Sequence, residues 1–189
     1  GCAIGRRPID QFLKGFQAFG MRVEDTGDAY QFTAEKLHGA EYFFPFVSVT
    51  ATETLMMLGA VVPGATVLKN AAGEPEITAL ADFLNRCGAS IQGAGTNTIR
   101  IQGVSALKAE SYTMIPDRLE TGMFAILAAA TRSNIKVTHC NPEHIESLLA
   151  IFRMMGVRYE QGEDWLSVYG RDSGVYRAPE KVITHEYPG

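Results

Sequence analysis

The chain repeats itself at intervals of 68 residues, and this repeat restricts the folds that it can adopt. Three glycines keep the spacing (88 − 20 and 156 − 88), namely Gly20, Gly88 and Gly156. Three isoleucines keep it as well, namely Ile9, Ile77 and Ile145. In each copy, apolar residues at helical spacing follow the isoleucine and the pattern stops at the glycine. Each copy is therefore predicted to begin with a helix of about the same length.

The apolar positions of the three predicted helices lie on one face of each helix. They are Ile9, Phe12, Leu13, Phe16 and Phe19 in the first copy, Ile77, Leu80, Ala81, Leu84 and Cys87 in the second, and Ile145, Leu148, Leu149, Phe152 and Met155 in the third. A proline stands near the start of each helix, where its missing N–H is tolerated, at Pro8, Pro75 and Pro142. This agreement in three copies indicates a true internal repeat.

Each closing glycine is followed by two short strand patterns around a polar turn, which predicts hairpins at 21–34, 89–102 and 157–169. In the first two copies a second helix comes next, beginning at the capping sequences Thr50-x-x-Glu53 and Asp117-x-x-Glu120. A strand then ends the copy, at 66–69 and 135–138. The predicted fold class is α/β, with helix–hairpin–helix–strand repeats that pack helices against mixed sheets.

Composition excludes several classes of protein. The 189 residues are 46% hydrophobic and carry a formal net charge of −4, which argues against nucleic-acid or membrane partners that are bound through basic patches. The longest strongly apolar run, 123–130, is much shorter than the roughly 20 residues that span a bilayer. The three cysteines, Cys2, Cys87 and Cys140, show neither disulfide nor zinc spacing, which is typical of the reducing cytoplasm.

The first ten residues form a motif of their own. Cys2 stands between small residues, and Arg6 and Arg7 follow it shortly before Pro8 begins a helix. Nearby guanidinium groups favour a thiolate and attract phosphate or carboxylate groups. From residue types alone, both an anion-binding loop with a reactive thiol and an inert exposed cysteine remain open. We expect Cys2 to be the most accessible of the three thiols, Cys87 to be shielded and Cys140 to be intermediate.

Four ordered segments resemble one family over nearly the whole chain. They are Gly-Cys-Ala-Ile-Gly-x-Arg-Pro-Ile-Asp at 1–10, Val-Ser-Val-Thr-Ala-Thr-Glu at 47–53, Asn-Ala-Ala-Gly-Glu-Pro-Glu-Ile at 70–77 and Pro-Asp-Arg-Leu-Glu-Thr-Gly at 116–122. The sequence thereby resembles the UDP-N-acetylglucosamine enolpyruvyl transferases. The resemblance implies an inside-out α/β barrel, here partial. It also implies two incomplete domains, with 1–115 closing a mobile, loop-bearing domain and 116–189 opening a second one.

The resemblance implies an enzyme that moves the enolpyruvyl group of phosphoenolpyruvate to the 3-hydroxyl of UDP-N-acetylglucosamine. This is the first committed step of peptidoglycan synthesis, in the cytoplasm, and it needs neither a metal nor an organic cofactor. Cys2 then matches the general acid of the family. The matching substrate-binding positions are Arg7, Pro8, Ile9, Asp10, Gln11, Val47, Ser48, Val49, Glu74 and Arg118.

The sequence departs from the family at two positions near these residues. Phe46 stands where some members have a lysine, and Gly73 stands where a larger, often basic residue is usual. The family's N-terminal lysine and asparagine, a cleft arginine and a proposed base beyond Gly189 have no counterpart here. We therefore expect a fragment that is inactive without those segments. Two alternatives stay open: a non-catalytic repeat module, and a related transferase with another acceptor.

Overall fold

The computed structural model describes residues 8–188 and contains the predicted elements in the predicted order. The first repeat contains α1 (Asp10–Ala18), β1 (Arg22–Asp25), β2 (Tyr30–Thr33), β3 (Glu41–Phe43), α2 (Val49–Val61) and β4 (Ala65–Lys69). The second contains α3 (Pro75–Arg86), β5 (Ser90–Gln92), β6 (Thr98–Gln102), α4 (Arg118–Ala130) and β7 (Asn134–Thr138). The third contains a 3₁₀ turn (Pro142–Ile145), α5 (Glu146–Met155), β8 (Tyr159–Gln161) and β9 (Trp165–Tyr169). The helix–hairpin–helix–strand order is confirmed.

Two details of the repeat differ from the prediction. Strand β3 was not predicted, and the second repeat has no strand at the corresponding place between β6 and α4. The N-cap of α2 is Ser48, whose Oγ accepts from the Ala51 N–H at 3.4 Å, so the expected cap at Thr50 is wrong. Asp117 caps α4 as predicted, because its Oδ1 accepts from the N–H groups of Leu119 and Glu120. The two caps are 69 residues apart, one more than the helix-closing glycines.

The chain forms two compact units with a boundary between Thr113 and Met114. The first unit contains a four-stranded sheet in the order β3-β4-β6-β5 and the two-stranded hairpin β1-β2. The second contains a three-stranded sheet in the order β7-β9-β8. The boundary falls inside the second repeat, between β6 and α4. The assignment of the two units to two incomplete domains stays a prediction.

The strand that closes each repeat pairs with the hairpin of the following repeat. Strand β4 pairs antiparallel with β6, and β7 pairs antiparallel with β9. The first pairing includes Ala65↔Gln102 and the second includes Asn134↔Tyr169. Moving the first pair by 69 and 67 residues gives the second pair, so the register of both pairings is the same relative to the repeat. Each repeat therefore depends on its neighbour to complete a sheet.

Each compact unit has its own core. Fully buried side chains of the first unit include Phe19, Phe44, Leu55, Leu68, Ile77 and Ile99, and those of the second include Ala125, Leu149 and Leu166. Ile9 is an exception among the predicted core positions, because it is 38% exposed and stands just before α1. Cys87 is buried as expected. The expectation for Cys140 is wrong, since it is 3% exposed and burial raises the pKa of its thiol.

Within residues 8–188, no helix is long and apolar enough to cross a bilayer. The prolines and caps at the helix starts behave as the sequence predicts. Pro75 occupies the first turn of α3, and Asn141 caps the 3₁₀ turn by accepting from the Glu143 N–H at 3.0 Å. The sequence around His144 is therefore a helix start, as predicted, and the His144 ring lies 3.1 Å from the Asn141 amide nitrogen.

A close contact between two backbone segments recurs after β6 and after β9. The N–H of Gly103 donates to the carbonyl of Gly64 at 3.0 Å, and the N–H of Gly170 donates to that of Ser133 at 2.9 Å. A Cβ at Gly103 would overlap the Val62 carbonyl, and a Cβ at Gly170 would overlap a carbonyl at the end of α4. Only glycine fits here, because carbonyl groups at a helix end cannot move aside like a flexible side chain.

We therefore expect Gly103→Ala and Gly170→Ala each to destabilise its own compact unit by roughly 3 kcal/mol or more, at the upper end of the usual cost of overpacking. Gly174→Ala is the matched control, because nothing lies within 4 Å of the added methyl group. Urea unfolding monitored by circular dichroism measures the three variants. Equal stability of Gly103→Ala and Gly174→Ala would contradict the close approach.

Candidate functional site

The first compact unit contains a pair of parallel strands, β3 and β4, and the predicted site residues follow the ends of these strands. The last residue pair of the two strands is Phe43↔Lys69. Just beyond it, the Phe44 N–H donates to the Lys69 carbonyl at 2.9 Å, and the Asn70 side-chain amide donates to the Phe44 carbonyl at 2.9 Å. Ligands of α/β proteins commonly bind beyond the carboxyl ends of parallel strands.

The chain that leaves β3 leads to the N-terminus of α2. Val47, Ser48 and Val49 are half-buried there, and Ser48 is the N-cap. The first N–H groups of a helix have no acceptor within the helix and attract anions. Phe46, immediately before this turn, is 51% exposed, so an aromatic side chain lies on the surface beside the helix start.

The chain that leaves β4 leads to the N-terminus of α3. Glu74 is the N-cap of α3, and its side chain makes no capping hydrogen bond. One carboxylate oxygen, Oε2, is buried and has no hydrogen-bond partner among the described residues. An unpaired buried carboxylate oxygen is costly, so this atom is available to a donor that a ligand could bring.

The N-terminus of α1 is attached to the same end of β3. The Tyr42 hydroxyl donates to the Gln11 carbonyl at 3.1 Å, and the Tyr42 ring packs edge-on against Phe44 at 5.0 Å. Pro8, Ile9 and Asp10 are exposed. Gln11 is only 5% exposed, and its side-chain Oε1 has no partner within residues 8–188.

The structure therefore brings three predicted segments, residues 8–11, 47–49 and Glu74, to one end of the β3–β4 pair. Cys2 and Arg7 lie outside the described residues. Arg118 belongs to the second compact unit, where it lines a pocket of about 450 Å³ and lies 5.3 Å from the ring of Tyr187.

Three carboxyl groups give this end of the first unit an acidic character. Glu53 lies on α2, and Glu74 and Glu76 lie at the start of α3. Burial raises the pKa of Glu53 above its ordinary value, and the negative charges of Glu76 and Glu74 raise it further. Such mutual repulsion of carboxylates favours retention of a proton on one of them.

Sequence reasoning missed the roles of Thr52, Glu53 and Tyr42. The capping interpretation assigned Glu53 to the first turn of α2, but the cap at Ser48 places it later in the helix, facing α3. Thr52 is fully buried and its Oγ1 accepts from the Ala72 N–H at 3.1 Å. A signal was present, because two polar residues stood within an otherwise apolar helix, and buried polar side chains need partners.

Chemically, this arrangement is suited to a polar ligand that carries an anion. The starts of three helices offer N–H donors and the positive end of the helix dipole. Gln11 and Glu74 offer acceptors without partners, and Phe46 offers an apolar face. Among the described residues, no three His, Cys, Asp or Glu side chains are grouped to hold a metal ion.

Solved structures with the same arrangement of elements are enolpyruvyl transferases. The enolpyruvyl transferase NikO from Streptomyces tendae matches with a TM-score of 0.75 at 23% identity, over 86% of this chain and 42% of that chain. An EPSP synthase from Acinetobacter baumannii matches with a TM-score of 0.64 at 19% identity, over 90% of this chain and 41% of that chain. At these identities the likeness shows the fold alone, and it confirms the predicted partial enolpyruvyl transferase fold.

Residues 1–187 match the EPSP synthase (3-phosphoshikimate 1-carboxyvinyltransferase) family, and the chain belongs to that family. Curated relatives are more similar in sequence. UDP-N-acetylglucosamine 1-carboxyvinyltransferase 2 of Geobacillus kaustophilus is 47% identical, and UDP-N-acetylglucosamine 1-carboxyvinyltransferase 1 of Carboxydothermus hydrogenoformans is 43% identical. Each match covers all of this chain and 44% of the relative, so the chain spans less than half the length of these proteins.

The raised pKa of Glu53 predicts a pH-dependent effect of Glu53→Gln. The native state holds the Glu53 proton more tightly than the unfolded state, so ionisation above the ordinary pKa of about 4.3 lowers native stability. Glu53→Gln should raise the melting temperature near pH 7 and lose this advantage below about pH 4. Thermal unfolding at both pH values measures the effect.

Glu163→Gln, in the exposed turn between β8 and β9, is the control and should change stability equally little at both pH values. A melting temperature of Glu53→Gln below that of the wild type near pH 7 would contradict the predicted repulsion.

Proposed function

We propose that the protein to which this chain contributes transfers the enolpyruvyl group of phosphoenolpyruvate to the 3-hydroxyl of UDP-N-acetylglucosamine. The reaction would be the first committed step of peptidoglycan synthesis, in the cytoplasm. Because the chain spans 44% of the relatives named for this activity, it would supply one part of the active site.

The observation that carries the proposal is the gathering of three helix starts at one end of the β3–β4 pair. Residues 8–11, 47–49 and Glu74 come from three separate segments, and each segment is one that the family resemblance assigns to substrate binding. Hydrogen bonds of Tyr42 and Asn70 connect these segments. A non-catalytic module gives no reason for this arrangement of unpaired acceptors and helix N-termini.

The roles of the segments follow from their chemistry. The N-terminal amides of α2, with the Ser48 hydroxyl, suit the diphosphate of a nucleotide sugar. Phe46 replaces a basic side chain there, so backbone amides carry more of the anion binding. Residues 8–11 suit the uridine end, where the unpartnered Oε1 of Gln11 could accept from a ring N–H. Glu74 suits a hydroxyl of the sugar or an arginine that contacts phosphate.

The proposed chemistry uses Cys2 as an acid and needs no cofactor. The 3-hydroxyl oxygen bonds to C2 of phosphoenolpyruvate while the Cys2 thiol gives a proton to C3. The addition product then loses a C3 proton and expels phosphate, which restores the double bond. Arg7 would hold an anionic group of the substrates, and its charge favours a thiol that exchanges its proton near neutral pH.

Further segments of the same protein are the proposed partners of this chain. Helix α4 exposes a stripe of large apolar side chains, Leu119, Met123, Ile126 and Leu127, opposite the small residues that face its sheet. Helix α2 exposes Met57 and Val61 at the positions that are 69 residues before Ile126 and Ala130. Helices that are apolar on both sides are normally covered on both sides.

A related transferase with another acceptor is the second candidate, since the matching family is described by 3-phosphoshikimate. Its chemistry is the same, and only the acceptor differs. The two candidates are therefore separated by which acceptor supports release of phosphate.

We expect the isolated chain to release no phosphate from phosphoenolpyruvate and UDP-N-acetylglucosamine. Release should begin when the segments that the Geobacillus kaustophilus relative has outside the matched region are added. Cys2→Ala should then lower the rate by at least about 100-fold, the usual effect of losing a general acid. Cys87→Ala, which removes a buried thiol, is the matched control and should keep most of the rate.

Turnover with shikimate 3-phosphate in place of the nucleotide sugar would favour the second candidate. Sustained turnover by the isolated chain would show that its own residues are sufficient. No turnover with either acceptor in the completed protein would contradict the proposed reaction.

A further inference from the structure

The loop from Asn70 to Glu74 is attached to its surroundings at three successive residues. Asn70 adopts a left-handed conformation with φ 57°, and its side chain donates to the Phe44 carbonyl. The Ala71 N–H donates to the Asn97 carbonyl at 3.1 Å. The Ala72 N–H donates to Oγ1 of Thr52 at 3.1 Å. The first two bonds connect the loop to the β3 and β6 ends, and the third connects it to helix α2.

Thr52 is the link between this loop and the start of α2. It lies one helical turn after the N-cap, and its N–H donates to the Ser48 carbonyl at 3.0 Å. Both Thr52 and Ala72 are fully buried. Water therefore cannot easily replace the hydroxyl acceptor, and removal of that acceptor leaves a buried N–H unpaired.

We infer that Thr52 is a positioning residue, which fixes the Glu74 carboxylate relative to the Ser48 turn through its hydrogen bond to the Ala72 N–H. The inference rests on the proposed function, in which these two segments bind one substrate. Glu74 lies two residues after Ala72, so the bond constrains the backbone that carries the carboxylate. Thr52 itself touches no reacting atom.

The carboxyl group of Glu53 provides a reporter of this geometry. Glu53 follows Thr52 on α2, and burial raises its pKa, with further contributions from the charges of Glu76 and Glu74. If the loop moves away from α2, the contribution of Glu74 falls. The pKa of Glu53 then moves down toward its ordinary value.

The chain offers a matched control at Thr66. This residue is also buried, at 1% exposure, and its Oγ1 accepts from the Ala40 N–H at 3.2 Å. Thr66 lies on β4, away from the loop and the helix starts. Thr66→Val therefore removes the same kind of hydrogen bond, in the same core, without touching the proposed link.

The experiment compares Thr52→Val, Thr52→Ser and Thr66→Val in the protein completed with the segments of its relative. Thr52→Val should lower kcat roughly 10- to 100-fold, as expected for displacement of a substrate-contacting group by up to about 1 Å. Thr52→Ser keeps the acceptor and should retain a rate near that of the wild type. Thr66→Val should lose a comparable amount of thermal stability and keep its kcat.

Carbon-13 NMR titration of the Glu53 carboxyl group is measured on the same variants of the chain and needs no turnover. Thr52→Val should lower the pKa of Glu53, and Thr66→Val should leave it unchanged. Equal losses of kcat in Thr52→Val and Thr66→Val, or an unchanged Glu53 titration in Thr52→Val, would overturn the inference. If the wild type shows no turnover, the proposed function fails, and the Glu53 titration alone decides whether Thr52 positions Glu74.

Discussion

The pairing of each closing strand with the hairpin of the next repeat is the constraint on which the rest of the structure depends. Strands β4 and β6, and again β7 and β9, pair in the same register relative to the repeat. This pairing fixes the end of the second helix against the residue after the hairpin, where Gly103 and Gly170 leave no room for a side chain. It also means that no repeat can complete its sheet alone.

The candidate site follows from the one feature by which the first repeat departs from this pattern. Strand β3 pairs parallel with β4, and the carboxyl ends of both strands therefore point toward the starts of α2 and α3. Side chains on the strands then hold the helices in place, as Tyr42 does for α1 and Thr52 and Asn70 do for the loop before α3. Binding groups and their supports thus come from a rigid sheet edge.

The repeat and the order of elements could be predicted from sequence, because glycine positions and apolar periodicity report local conformation directly. The cap at Ser48 and the strand β3 could not. A capping sequence has two registers in Ser48-Val49-Thr50, and three residues of strand carry too little periodicity. Ile9 and Cys140 were misjudged because burial depends on which neighbours cover a residue. The gathering of Gln11, Ser48 and Glu74 at one end came from family resemblance, since separation along the chain gives no distance.

The central claim is that the starts of α1 and α2 form one nucleotide-sugar surface in the first compact unit. Nitrogen-15 NMR of the labelled chain with increasing UDP-N-acetylglucosamine tests it directly, with N-acetylglucosamine alone as the control. The account predicts the largest amide shifts at residues 9–11 and 48–51, and little change there with the sugar alone. Shifts confined to other parts of the chain, with none at either helix start, would contradict it.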